Sequence, residues 1–528
     1  MMRKPLLLSC VAALTTALFA VLGCDELVTQ VNNNNVYDPT TGQQCVACHG
    51  DDDTKIRQPL GQWENSRHAS ADLIEAHITL NGETFLTSAC GPRCHTSEGY
   101  KQFVSTDTAR TITQPSVIDC FTCHLPHTGT YGDWSMDTLR GEQATVDLGN
   151  FTYFSQNRST MCAICHQANH VPIFSSTPGR IRLDSIGADG PHNSAQANLI
   201  IGSGGALFGA VPDSSKHHRM VPDTMKGSCL TCHFGSGQGY DFGEHTFRLR
   251  NHATGDEFVD NCNIAACHDG APAQITTLFD TLNIKLDSIR FLADTLRNKL
   301  LARAILTGDD SDTTEFNPFT IIPSDAGKIL FNYLLYKKDG SRGIHNIDYR
   351  LQLLRESVAR WEMVPKALMI PSDTLSCTGI PIDFVDSSIG DIATYVWDFD
   401  DGSPIDTRTT PEVVTHSFAK AGIFNVELTV SGVAGVDVYL ARVIIDTIPQ
   451  ALFTIAPNPV SRDSVVKFTD NSEKDPTTWQ WDFGDGQSSQ QANADHVYLR
   501  PGLYPVKLSV HRGGKAVDIT NRIYVDRP

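Results

Sequence analysis

The hydrophobic pattern changes character several times along the chain. An apolar run from Leu6 to Leu22 comes first. Residues 45–268 then hold few long periodic apolar stretches and are rich in Gly, Pro, His and polar loops. A segment of this kind cannot build an ordinary side-chain core, so something other than its own apolar residues must fill its interior. From 272 to 306 the pattern turns helical. Leu278, Leu282, Leu286, Ile289, Leu292, Leu296 and Leu300 recur at three to four, with Asp, Lys and Arg between them. Asp309 to Asp312 breaks that helix. Residues 326–337 and 346–363 read as two more helices, and Pro365 begins a linker. From about residue 370 the apolar positions alternate and turn signals recur, which predicts β-strands.

Chemistry enters in the segment that lacks a core. Six cysteine pairs, each followed at once by histidine, lie between residues 45 and 268. Four are C-x-x-C-H: Cys45–Cys48–His49, Cys120–Cys123–His124, Cys162–Cys165–His166 and Cys229–Cys232–His233. Cys90–Cys94–His95 and Cys262–Cys267–His268 carry longer spacers that must bulge. Two thiols at this spacing add to the two vinyl groups of one haem, and the adjacent histidine reaches the iron from the same side. The pattern therefore predicts six covalent haems c with six proximal histidines to iron. The porphyrins would then be the missing core. Of 15 Cys the motifs take 12, leaving Cys10, Cys24 and Cys377 and no surplus for a disulfide framework. Structural zinc needs four ligands from two half-sites, and an immediate histidine after every pair does not fit it.

The distal ligands decide between a wire and an enzyme, because an iron with two protein ligands transfers electrons and an open one can bind substrate. The distal candidates are His68, His127, His192, His245, His345 and one of His217 and His218. His127 follows His124 by three residues, so it would have to serve a neighbouring iron. A solvated surface histidine is the alternative for each. His77, His170 and His252 read as supporting or surface residues, and His416, His496 and His511 fall in the β region.

The N-terminus sets the expected compartment. Arg3 and Lys4 precede the apolar run, which ends in Val21-Leu22-Gly23-Cys24. This reads as a secretory signal over 1–23 with a lipobox, Cys24 being the lipidated first mature residue. Residues 24–44, with the run Asn32 to Asn35, read as a tether. The expectation is an exported cell-envelope lipoprotein, periplasmic or at the outer surface, held to a membrane without spanning it. Formal charge is −18, and removal of Arg3 and Lys4 makes it −20. Such an acidic chain is a poor partner for nucleic acid.

Trp63-Glu64-Asn65-Ser66-Arg67-His68, the stretch C-F-T-C-H-L-P-H from Cys120 to His127, Glu244-His245-Thr246-Phe247-Arg248 and Gly343-Ile344-His345-Asn346 resemble the multihaem cytochromes c. The likeness is to those with nitrite- and octahaem-reductase-like haem packing, over roughly residues 40–363. It implies bis-histidine haems in alternating parallel and perpendicular pairs, buttressing helices after the last haem, and His345 as a ligand supplied by them. The chain departs from that family in having six motifs and no C-x-x-C-K, which argues against catalysis.

A second resemblance lies in the tail. Trp397-Asp398-Phe399-Asp400-Asp401-Gly402, then His416-Ser417-Phe418, is echoed by Trp481-Asp482-Phe483-Gly484-Asp485-Gly486, then His496-Val497-Tyr498. The repeat is 84 residues, from Trp397 to Trp481. It resembles two tandem PKD domains, immunoglobulin-like sandwiches, over 370–447 and 450–528. The buried Trp would fill each sandwich, the Asp-Gly segments would be turns rather than calcium sites, and His416 and His496 would be structural.

The expected fold is multi-domain. A haem-cored, loop-rich multihaem cytochrome c domain with C-terminal helices covers 45–363, and two all-β sandwiches follow. The expected function is electron transfer along six haems to a redox protein partner or an extracellular acceptor, with self-association left open. The alternatives are a terminal reductase of a nitrogen or sulfur oxyanion with one open haem, and a subunit of a polymeric cytochrome filament.

Overall fold

A computed structural model describes residues 54–70, 92–108, 112, 115–125, 139–141, 145–148, 152–168, 174–186 except 176, 195–208, 228–235, 243–260 except 252 and 253, 283–307, 316–512 except 318, and 515–527. Cys24, Cys45, Cys48, His49, Cys90, His127, His192, His217, His218, Cys262, Cys267 and His268 lie outside the described residues, as do the leader and the tether. The chain forms two compact units. One draws on residues up to 172, 189–299 and 331–355, and the other on 173–188, 300–330 and 356–528.

The first unit is built on short helices: α1 (Thr54–Glu64), α2 (Pro92–His95), α3 (Ser97–Thr106), α4 (Cys120–Cys123), α5 (Thr160–Ala163), α6 (Gln196–Ile200) and α7 (Ser228–His233). Local chemistry fixes their ends. Asp119 accepts from the Thr122 amide at 2.7 Å, and the Asp119 amide donates to the Thr122 hydroxyl oxygen at 2.9 Å. This capping box holds the Cys120–Cys123 turn. Thr96 caps α3 by accepting from the Gly99 amide at 2.9 Å. Trp63 on α1 donates its indole N–H to the Ile118 carbonyl at 2.8 Å. Cys120 and Cys123 thus sit on one helical turn, as do Cys229 and Cys232, and residues three apart on such a turn share a face.

The interior of this unit differs from the sequence expectation in one respect. Small side-chain clusters do form among the motifs. Tyr100, Val146, Leu148, Phe154, Ala163, Ile164, Ala197 and Ile200 make one, with Cys165 and Cys229 packed against it. Leu139, Met161 and Leu230 make another, touching Cys123 and Cys162. Sequence periodicity could not show them, because each draws single residues from separate turns.

Three longer helices appear in the stretches the pattern marked: α8 (Asn283–Ala302), the expected residues 272–282 lying outside those described, α9 (Ser324–Asp339) and α10 (Ile347–Trp361). On α8 the buried positions are Leu286, Ile289, Ala293, Leu296 and Leu300, one stripe at helical spacing. Leu335, Tyr349 and Leu353 from α9 and α10 join Ala168, Ala195 and Leu199 in a third cluster of the first unit.

The second unit holds two sandwiches. In the first, β5 (Met369–Pro371), β7 (Pro381–Asp386) and β10 (Val414–Ser417) form one sheet in the order β10-β7-β5. The facing sheet runs β6-β12-β11-β8-β9, from β6 (Leu375–Cys377), β8 (Thr394–Asp398), β9 (Asp406–Arg408), β11 (Gly422–Gly432) and β12 (Gly435–Asp446). The second sandwich repeats this order, with β13 (Phe453–Ala456), β15 (Val465–Asp470) and β18 (Ala494–Val497) facing β14 (Val460–Ser461), β16 (Thr478–Asp482), β17 (Ser488–Ser489), β19 (Gly502–Arg512) and β20 (Lys515–Asp526). Trp397 and Trp481 fill the two cores at 1% and 0% exposure.

The Asp-rich segments are turns. The Asp398 and Asp401 carboxylates accept from the amides of Asp400 and Ser403, both at 2.9 Å. Asp482 and Asp485 do the same for Gly484 and Gln487, at 2.9 and 3.1 Å. His416 and His496 each bond an Asp of their own turn at 2.8 Å. Their rings stack on Phe399 and Phe483, with centroids 3.9 and 4.3 Å apart. These contacts have the structural character that the repeat implied.

The supposed linker is different. Ala367 and Met369 are buried in the core of the first sandwich, and the Lys366 amide donates to the Ile389 carbonyl at 2.8 Å. The sandwich therefore begins earlier than the prolines implied. Its hairpin also meets β3 (Arg180–Arg182) and β4 (Ile321–Pro323), which pair with each other. The Gly179 carbonyl accepts from the amides of Ser324 and Val436, both at 2.9 Å. Gly435 has φ +133°, and a Cβ there would meet the Gly179 carbonyl at 2.8 Å. Only glycine allows this approach.

Candidate haem-ligand cluster

Three histidine pairs stand out in the first unit, each joining a motif histidine to a distal candidate. The ring centroids are 6.1 Å apart for His68 and His166, 6.0 Å for His124 and His245, and 6.3 Å for His233 and His345. With metal–imidazole bonds of about 2 Å and about 1.1 Å from each nitrogen to its ring centre, two rings on one metal ion would stand about 6.2 Å apart. The observed spacing leaves room for one iron between each pair.

Hydrogen bonds at Nδ1 orient these rings. His166 Nδ1 lies 3.3 Å from Gln196 Oε1, His233 Nδ1 3.0 Å from the Phe247 carbonyl, and His345 Nδ1 2.7 Å from Asp339 Oδ1. An Nδ1–H that donates leaves the Nε2 lone pair free for a metal. Burial, with the neighbouring histidine second, lowers His68, His233 and His245 to about 4. Burial also lowers His166. These rings are neutral at physiological pH, the form a ligand requires. His345 goes the other way. Burial lowers it, but the charge and hydrogen bond of Asp339 outweigh that and raise it overall.

The thiols fit the same use. Cys94, Cys120, Cys123, Cys162, Cys165, Cys229 and Cys232 are not joined in disulfides. Cys165 bonds the Arg93 carbonyl at 3.4 Å, Cys94 bonds the Ile164 carbonyl at 3.7 Å, and the two thiols interact. Cys162 and Cys229 are likewise hydrogen-bonded, so the motif at Cys162–Cys165 meets both the one ending at His95 and the one beginning at Cys229. Burial, then Asp119, pushes Cys123 up to about 12. A buried thiolate is costly, whereas a thioether carries no charge and loses nothing by burial. Two thiols followed by an imidazole, with a second imidazole opposite, are the donor types that covalent haem attachment would use.

Sequence reasoning named His68, His245 and His345 as candidates but did not name the residues that hold the rings. Phe247 is the most connected. Its carbonyl serves His233, and its ring meets His68 and His245 with centroids at 5.1 and 6.4 Å. Gln196 and Asp339 were also unforeseen. Asp339 reaches His345 because the chain reverses through Gly340 at φ +71° and Gly343 at φ +107°. A side chain at 343 would strike Ile289 at 2.8 Å. The Gly343-Ile344-His345 string was visible, but its pairing with a residue six positions earlier was not.

Comparison with known proteins bears on the sandwiches. The PKD domain family matches residues 364–443 and 447–526. Polycystin-1 of Homo sapiens is 32% identical over 148 residues, which is 26% of this chain and 3% of polycystin-1. The chain therefore spans only a small part of that relative. The PKD1 domain of Vibrio anguillarum Epp is 26% identical, covering 16% of this chain and 99% of that domain at a TM-score of 0.15. The PKD1 domain of the Vibrio cholerae metalloprotease PrtV is 28% identical, covering 15% and 96% at a TM-score of 0.14. No helix among the described residues is long and apolar enough to cross a membrane. The C-terminal sandwiches of this chain are thus two PKD domains, modules that point to an extracellular or surface protein.

Proposed function

We propose that this chain is an extracytoplasmic multihaem c-type cytochrome that passes electrons along six covalent haems to a redox protein or an extracellular acceptor. The observation that carries the reading is the set of three proximal–distal histidine pairs, each spaced at 6.0 to 6.3 Å. Haem c would supply one-electron ferric–ferrous exchange at each iron. The chain's own part is to hold and tune. The motif thiols would fix each ring covalently. His124, His166 and His233 would ligate from the motif side, and His245, His68 and His345 from the far side. His49, His95 and His268 would serve the remaining irons, with distal partners from His127, His192 and one of His217 and His218. Paired ligation leaves no open position for substrate, which favours a carrier over a terminal reductase. Lipidation at Cys24 would keep the protein at a membrane surface, and the PKD pair would position it or dock it to a partner.

Intact-mass spectrometry of the mature protein, with paramagnetic resonance of its oxidised form, tests this. Six covalent haems, all low-spin, are expected. Four haems would remove the wide motifs ending at His95 and His268, no haem would end the proposal, and a high-spin signal would turn it toward a reductase.

A further inference from the structure

The histidines of the three pairs do not have equal supports. His166 faces a neutral amide oxygen of Gln196, and His233 faces a backbone carbonyl. His245 Nδ1 is buried without a hydrogen-bond partner. His345 alone among these faces a carboxylate, at 2.7 Å. Asp339 is wholly buried, with 0% of its side chain exposed. Its other oxygen lies 3.2 Å from the buried Arg350 guanidinium and also accepts from the Ser341 hydroxyl. Arg350 and Ser341 thus engage one oxygen of Asp339 and leave the other to His345. The Gln196 amide that supports His166 also donates to the Asp339 backbone carbonyl at 3.1 Å. The supports of two histidine pairs therefore meet at one residue.

A carboxylate on Nδ1–H gives the imidazole anionic character and raises its basicity as a ligand. A more basic ligand stabilises ferric over ferrous iron and lowers the midpoint potential. Resting on the haem reading above, we infer that Asp339 is a positioning residue that makes the His233–His345 site the lowest in potential of the three paired sites. A haem held here would take one electron from a redox partner, while Asp339 would keep the Nδ1 proton of His345 in its hydrogen bond. Electrons would then leave this site for the other two with a favourable drop.

The test uses the full holoprotein, with haem content measured first by mass. Potentiometric titration and paramagnetic resonance are then compared for the native chain, Asp339→Asn, Asp339→Glu and Ser341→Ala. Asp339→Asn keeps the shape and removes the charge. It is expected to raise the lowest midpoint and shift one low-spin signal while leaving the others, and Asp339→Glu should restore the native value in part. Ser341→Ala frees the carboxylate of a donor, so it should move the same midpoint downward. It also gives a reading if Asp339→Asn fails to fold. A purely structural role would move both variants in one direction. An unchanged lowest midpoint in variants that retain all their haem overturns the inference alone. A native chain without covalent haem overturns the haem reading and the inference with it.

Discussion

Arg360→Ala tests how the first sandwich is held within its unit. The Arg360 guanidinium lies 2.5 Å from Asp325 Oδ2 and 2.6 Å from the Val433 carbonyl. The Asp325 side chain is 4% exposed and that of Arg360 21%. Breaking a buried pair by removing one partner costs about 3–5 kcal/mol when the survivor is left alone. Asp325 would not be alone, because Lys328 stays 2.8 Å from its other oxygen. Arg360 is also partly hydrated, which reduces what is lost. The carboxylate then costs about 1–2 kcal/mol and the orphaned carbonyl about 1 kcal/mol, giving about 2–3 kcal/mol in all. For a unit of about 150–250 residues each kcal/mol is worth about 2–4 °C, so the transition should fall by about 4–12 °C. Calorimetry, with near-ultraviolet circular dichroism of Trp397 and Trp481, reads it. Arg360→Lys should recover only part of the loss, since a single ammonium cannot span both acceptors. A shift below about 1 °C for Arg360→Ala would refute the reasoning.

Other outcomes are open to simpler tests. Cys24→Ser should release the protein from membranes with its haem content intact, and unchanged fractionation would remove the lipid anchor. Burial alone would raise Asp401, but its bonds with Ser403 and His416 outweigh this and hold it below the ordinary carboxylate range. Its folded pKa is therefore below its unfolded one, so the stability it contributes is present above about pH 4 and is lost as pH falls below that. Asp401→Asn should flatten the acid limb of the first sandwich's stability curve, and an unaltered limb in denaturant titrations would count against it. Deletion of 370–528 should destabilise what remains, because Ala434 and Val436 supply backbone bonds to Asp325 and Gly179. A truncated chain that melts like the parent would show those bonds to be dispensable.

What could be read in the sequence is what local chemistry fixes. Leucines at helical spacing gave α8, and the two shorter apolar runs gave α9 and α10 to within two residues at each end. Alternation, with Trp-Asp-Phe and Asp-Gly in two copies, gave the sandwiches, their buried Trp and their structural histidines, because strand period and turn chemistry act over a few residues. Cysteine spacing marked the six cysteine-pair–histidine motifs for the same reason. The rest needed three dimensions. That Lys366 and Ala367 belong to the first sandwich depends on Ile389 and on a core formed more than 70 residues later, at Val443 and Ile445. Which distal histidine meets which motif is also non-local. His68 lies 98 residues before His166, and His345 lies 112 after His233. Such pairings cost loop-closure entropy and form only when the whole unit condenses, so no periodicity records them. Local spacing determined which thiols and imidazoles each motif brings together, and tertiary packing decided which rings face each other and that a carboxylate stands behind His345.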